Sequence, residues 1–179
     1  VAPTAPVVEG DNLLGAELNA LPPFRAVFQG NDAAEKTGDL TPPWSANCWD
    51  AGARGEVALN DESGARAVAL RNLGGGKPSL QFYTWKGVPL EAGKTYAVVC
   101  EYATRGGATG ALVLRGSGDT SKVAERTVAL PDTGGDWRPV KTTVTPSRPY
   151  ELGLMVQNYA EGTDKPLYVR SLRLTVSPR

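Results

Sequence analysis

Leu80-Gln81-Phe82-Tyr83-Thr84-Trp85 is the stretch whose residue types and spacing could do chemistry. Its β-type alternation sets Gln81, Tyr83 and Trp85 on one face and Leu80, Phe82 and Thr84 on the other. With Leu80 and Phe82 in a core, an amide, a phenol and an indole project from the opposite side. Sugars show C–H patches on their ring faces and hydroxyls around their edges. A sugar site therefore needs flat aromatic plates and planar groups that donate and accept hydrogen bonds. Tyr83 and Trp85 are the best plates, and Gln81 is the first amide.

A second phrase carries matching chemistry. In Glu151 to Gln157, Leu152, Leu154 and Val156 share one side while Gly153, Met155 and Gln157 share the other. Gln157 adds an amide, and Tyr159 follows two residues on. Glu101 and Arg115 fall on the outward faces of their own strands. Facing one another, they would pin sugar hydroxyls through charge-assisted hydrogen bonds; otherwise they form a surface ion pair worth about 0–1 kcal/mol. Trp44 and Trp49 stand in a Pro-containing segment, as lids folded over the core or as platforms for a ligand. Trp137, at the start of a strand, is read as packing. Tyr96 and Tyr102 alternate in phase with Val98 and Cys100 and are read as core.

Catalytic motifs fail on inspection, and no catalytic residue is assigned. The chain has no histidine, which removes the commonest general base and the commonest zinc ligand together. Gly116-Ser117-Gly118-Asp119 lacks the third glycine of a dinucleotide fingerprint. Gly74-Gly75-Gly76-Lys77-Pro78 has a proline where a phosphate loop needs Ser or Thr. Asp61-Glu62 is an adjacent acidic pair in a polar turn, whereas glycosidases set two carboxylates about 5–10 Å apart across a cleft. Metal ligands are not assigned.

The elements that must position these groups are short strands. Glycine (21) and proline (14) punctuate brief apolar runs throughout the 179 residues, the pattern of a sandwich or barrel. Strands are predicted over 56–60, 65–72, 80–85, 95–103, 111–115, 126–130, 137–144, 151–157 and 167–176. One or two more are expected before residue 30, and 31–55 reads as a long loop. About nine to eleven strands are too many for one flat sheet; two packed antiparallel sheets in jelly-roll order solve the edge and core problems together. Residues 1–10, rich in Ala and Pro, read as a linker-like lead-in, and 11–179 as one all-β domain. A chain of this size buries roughly 70% of its unfolded surface.

Charge narrows the partners. Lys plus Arg and Asp plus Glu are 19 each, so no basic field draws in nucleic acid. No run of about 18 apolar residues exists to span a membrane. Cys48 and Cys100 are the only cysteines. They form one disulfide in an oxidising compartment or remain two buried thiols.

Several phrases in order resemble carbohydrate-binding modules of families 4, 9 and 22. Gly87-Val88-Pro89-Leu90-Glu91-Ala92-Gly93-Lys94-Thr95-Tyr96 resembles their G-I-x-L-x-x-G-K-x-Y segment. Thr133 to Val140, with Trp137, resembles T-x-x-W-x-x-V. Leu167-Tyr168-Val169-Arg170-Ser171-Leu172-Arg173-Leu174 resembles the closing F-Y-I-D-D-V-x-L strand, and Asn12-Leu13-Leu14 with Glu17 resembles the opening N-L-L-x-N-G-x-F-E. The match runs over roughly residues 11–176.

The resemblance implies a non-catalytic jelly-roll domain, secreted and tethered to a catalytic or surface domain. Its partner would be a polysaccharide or oligosaccharide, a β-glucan or xylan chain lying in a groove on the concave sheet. The residues proposed to line that groove are Tyr83, Trp85, Gln81, Gln157, Tyr159, Trp49, Trp44, Glu101 and Arg115. No cofactor is expected. Many such modules hold a structural calcium through an Asp of the closing strand; here Arg170-Ser171 supplies no carboxylate, leaving Glu17. Two other readings share the fold: a structural or adhesion domain of a larger surface protein, and a jelly-roll glycan-active enzyme.

Overall fold

The computed structural model describes residues 10–116 and 126–178. Residues 1–9 of the lead-in expected over 1–10, and most of the turn expected at Gly116–Asp119, lie outside the described residues. A 3-10 turn at Leu18–Ala20 precedes β1 (Arg25–Gln29), β2 (Asp32–Thr37), β3 (Trp44–Cys48) and β4 (Arg54–Asn60). Then come β5 (Ala67–Gly74), β6 (Leu80–Thr84), β7 (Val88–Leu90), β8 (Tyr96–Thr104) and β9 (Gly110–Gly116). The chain continues with β10 (Arg126–Leu130), β11 (Arg138–Val144), β12 (Tyr150–Asn158) and β13 (Leu167–Val176).

The strands form two antiparallel sheets. One has the order β11-β8-β13-β5-β4-β1-β2; the other runs β10-β9-β12-β6-β3, with β7 added on β12. This is the all-β, two-sheet jelly roll expected from the spacing of turns. Alternation sends one side of every central strand between the sheets. Leu80 and Phe82 of β6, Leu112 and Leu114 of β9, and Leu152, Leu154 and Val156 of β12 are all at most 1% exposed. They meet Val98, Cys100 and Tyr102 of β8 and Val169, Leu172 and Leu174 of β13 in one cluster. Burial of each such large side chain contributes about 1.5–3 kcal/mol.

The segment 31–55 is not the loop expected. It contains β2 and β3, separated by Gly38 and the cis Pro42-Pro43 pair. β3 alternates buried Trp44, Ala46 and Cys48 with half-buried Ser45 and Asn47. β2 is exposed along its whole length, so no buried stripe marks it in the sequence; its pairing with β1 makes it a strand. Likewise the connector after Trp85 contains β7. Cys48 and Cys100 are both buried free thiols, and burial pushes the Cys100 thiol up to about 12.

Two buried asparagines join the layers. Asn72 of β5 donates through Nδ2 to the carbonyls of Asn158 and Ala160, both at 2.8 Å, and accepts from the amides of Ser79 and Leu80. Asn158 of β12 donates to the carbonyls of Leu70 and Lys165 and accepts from the amide of Ala160. Buried polar groups are tolerated only when satisfied in this way. The pair fixes the chain on either side of Tyr159.

Candidate functional site

The outer face of the β10-β9-β12-β6-β3 sheet is built in rows, because antiparallel register sets outward residues side by side. Asn47 stands opposite Gln81, Gln81 opposite Gln157, and Gln157 opposite Ala111. In the next row Ser45, Tyr83, Met155 and Val113 are successive partners. In the third, Gly153 pairs with Arg115. β6 pairs with β12 as far as Tyr83–Met155 and β7 takes over at Val88–Leu152, so Trp85 lies in the bend between them and lines one cleft with Gly153 and Arg115. The backbone amide of Trp85 still bonds the carbonyl of Pro43 at 2.6 Å, one step past β3.

The first row is wired in one direction. Tyr159 Oη donates to Gln157 Oε1 (3.1 Å), and Gln157 Nε2 donates to Gln81 Oε1 (3.4 Å). Gln81 Nε2 donates to Asn47 Oδ1 (2.7 Å), and Asn47 Nδ2 to Asn31 Oδ1 (2.6 Å). Chained donors and acceptors polarise one another and hold each amide in one orientation. Each primary amide in the chain keeps capacity for a ligand beyond the bonds it spends on its neighbours.

Aromatic rings frame this polar row. The exposed large hydrophobic residues among those described are Trp49 (56%), Trp85 (75%) and Tyr159 (49%). All three extend strands of this one sheet. Trp85 follows β6, while Trp49 follows β3 and Tyr159 follows β12 at the opposite end. Trp49 sits on a braced turn. Its amide bonds the Ser79 carbonyl, and the Asp50 carboxylate accepts the backbone N–H groups of Lys77 (2.8 Å) and Gly52 (3.2 Å). Those donors, Lys77 first, hold the Asp50 carboxyl below its ordinary range. Tyr83 is half-buried beside Ala111, Val113 and Met155. A cleft of about 330 Å³ opens among Gln81, Tyr83, Trp85, Arg115, Gly153 and Met155. A second, of about 570 Å³, lies between Trp85, Lys86 and the Pro42-Pro43 turn.

Of the nine residues proposed from sequence, Gln81, Tyr83, Trp85, Arg115, Gln157 and Tyr159 meet on this face, with Trp49 at its border. Two do not. Trp44 is only 4% exposed and stacks on Phe82 inside the sandwich, because alternation in β3 turns it inward. Glu101 does not face Arg115. Its strand, β8, belongs to the other sheet, and its carboxylate accepts from Arg170 Nε at 2.6 Å. Arg170 lies 4.6 Å over the ring of Trp137, which packs as expected against Ala67, Ala69, Ala103 and Tyr168. Arg71 and Arg105 cover Tyr168 on the same back face.

Sequence reasoning missed Ser45, Asn47 and Asn31. The inward run Trp44, Ala46, Cys48 was the available signal for the first two. Glu17 is the carboxylate the resemblance leaves for a calcium. Glu17 pairs with Arg173 Nε at 3.0 Å, and Arg173 also donates to the Gly10 carbonyl, so a guanidinium stands beside this carboxylate. Among the described residues no group of three His, Cys, Asp or Glu side chains comes together.

No family model and no curated protein matches this chain. Solved structures do share its fold. A family 4 carbohydrate-binding module is 20% identical with a TM-score of 0.51, over 75% of this chain and 95% of its own. A family 61 module solved with β-1,4-galactotriose is 17% identical with a TM-score of 0.53, over 76% and 90%. A chain of joined family 22 and GH10 modules from Clostridium thermocellum xylanase 10B, solved with xylohexaose, is 15% identical with a TM-score of 0.52, over 76% of this chain and 26% of that longer one. The chain therefore has the β-sandwich fold of carbohydrate-binding modules, as its phrases resembling families 4 and 22 imply. Among the described residues no helix is long and apolar enough to cross a membrane.

Proposed function

We propose that this chain is a non-catalytic carbohydrate-binding module that docks a β-glucan or xylan-type chain on the outer face of the β10-β9-β12-β6-β3 sheet. One observation carries the reading: Trp49, Trp85 and Tyr159, the exposed large hydrophobic residues among those described, all border the face crossed by the directional amide row. Rings take the C–H faces of successive sugars, and the amides take their hydroxyls. The outward positions of this sheet carry one carboxylate among the described residues, Glu151, and acid–base cleavage of a glycosidic bond uses two. The module is read as extracellular and joined to a longer protein, the setting in which polysaccharide is met.

Titration calorimetry against soluble β-glucan, xylan and mannan tests this. The expected result is affinity that changes little with salt for neutral chains, with no release of reducing ends. Silence across the panel, with no retention on insoluble polysaccharide, overturns the proposal.

A further inference from the structure

Gly153 pairs with Arg115 in the third row of the face, and both line one cleft with Trp85. A glycine inside a strand weakens it and marks close approach of a ligand or another backbone. Here no backbone crowds the site. A Cβ at Gly153 would meet nothing closer than the Arg115 carbonyl and Thr84 Oγ1, both at 3.7 Å, an ordinary contact. Packing does not demand the glycine; what it leaves is an open floor in a cleft shared with a ring and a cation.

The cation is also uncommitted. Arg25, Arg66, Arg71, Arg170 and Arg173 hold carboxylates, whereas the guanidinium of Arg115, exposed in the cleft, has no ion pair or hydrogen bond among the described residues. A guanidinium only donates, in a planar fork that fits a carboxylate with two bonds. The neighbouring amides both donate and accept, as neutral hydroxyls require.

Resting on the proposed carbohydrate-binding role, we infer that the Trp85–Gly153–Arg115 slot takes a sugar unit bearing a carboxylate, a hexuronate. Its ring lies over the glycine against Trp85, and its carboxylate meets Arg115.

Calorimetry with a xylo-oligosaccharide and its glucuronate-substituted counterpart of equal backbone length tests the slot. The acidic ligand is expected to bind roughly tenfold tighter at low salt, the scale of hydrogen bonds to a charged group. That preference should fall towards unity in high salt and in Arg115→Gln, and Gly153→Val should weaken the acidic ligand more than the neutral one at a thermal midpoint no lower than the parent's. Equal binding of the two ligands, or a preference that survives Arg115→Gln, overturns the slot while leaving the module reading intact. Absence of binding to both overturns the two together.

Discussion

Trp44 and Phe82 lie face to face between the sheets, ring centroids 4.6 Å apart and planes 9° from parallel. Trp85, one residue past Thr84, the cross-strand partner of Trp44, stands 75% exposed. One strand pair thus sends one indole inward and another to solvent, and the two should separate in experiment. Trp44→Ala is expected to cost about 3–5 kcal/mol of unfolding free energy in denaturant titration. Trp85→Ala should stay within about 0.5 kcal/mol of the parent in stability. It should still lose roughly tenfold or more in affinity for oligosaccharide, as removal of an exposed binding anchor does.

The amide row makes a prediction about coupling. Because Gln157 orients Gln81 and Tyr159 orients Gln157, each side chain acts partly through its neighbour. Gln81→Ala and Gln157→Ala should each weaken ligand binding, and the double variant should lose less than the sum of the two. The coupling expected for residues in one network is about 0.5–3 kcal/mol. A calorimetric double-mutant cycle measures it; strict additivity would show that the amides work independently.

Acid should loosen two turns. Gly134 N–H and the Thr104 hydroxyl hold the Asp132 carboxyl below its ordinary value of 3.8, as Lys77 and Gly52 N–H groups do for Asp50. A lowered folded pKa gives stability that is fully present above the unfolded value and is lost as pH falls through the folded one. Thermal midpoints scanned from about pH 5 to about pH 2 should fall once pH drops below the unfolded value. Asp50→Asn and Asp132→Asn, which keep an acceptor but no charge, should each flatten that fall.

Much of this was legible because alternation is a two-residue code. β10 and β13 have the bounds read from sequence, and β6 and β12 turn the expected residues outward. Gln81 and Gln157, far apart in the chain, could be set on one face from their apolar neighbours alone. Glu101 and Arg115 fail for a reason alternation cannot reach: each is outward on its own strand, but the strands belong to different sheets. Phase within a strand does not say which layer the strand joins. Trp44 was lost with β3, whose short run is hidden by the prolines before it. Asn72 and Asn158, at 1% and 0% exposed, sit among apolar residues and show their role only through partners distant in sequence.

The back of the sandwich has a consequence of its own. There the rings are capped by arginines, Trp137 under Arg170 and Tyr168 under Arg71 and Arg105, and Arg170 and Arg71 are themselves tied to acids. Bare rings occur on the opposite side alone among the described residues. On the proposed binding role, such a molecule would settle on a fibre with the ring-bearing side down and the arginine-capped side up. Its outward surface would then be one of arginines stacked on rings rather than of bare rings.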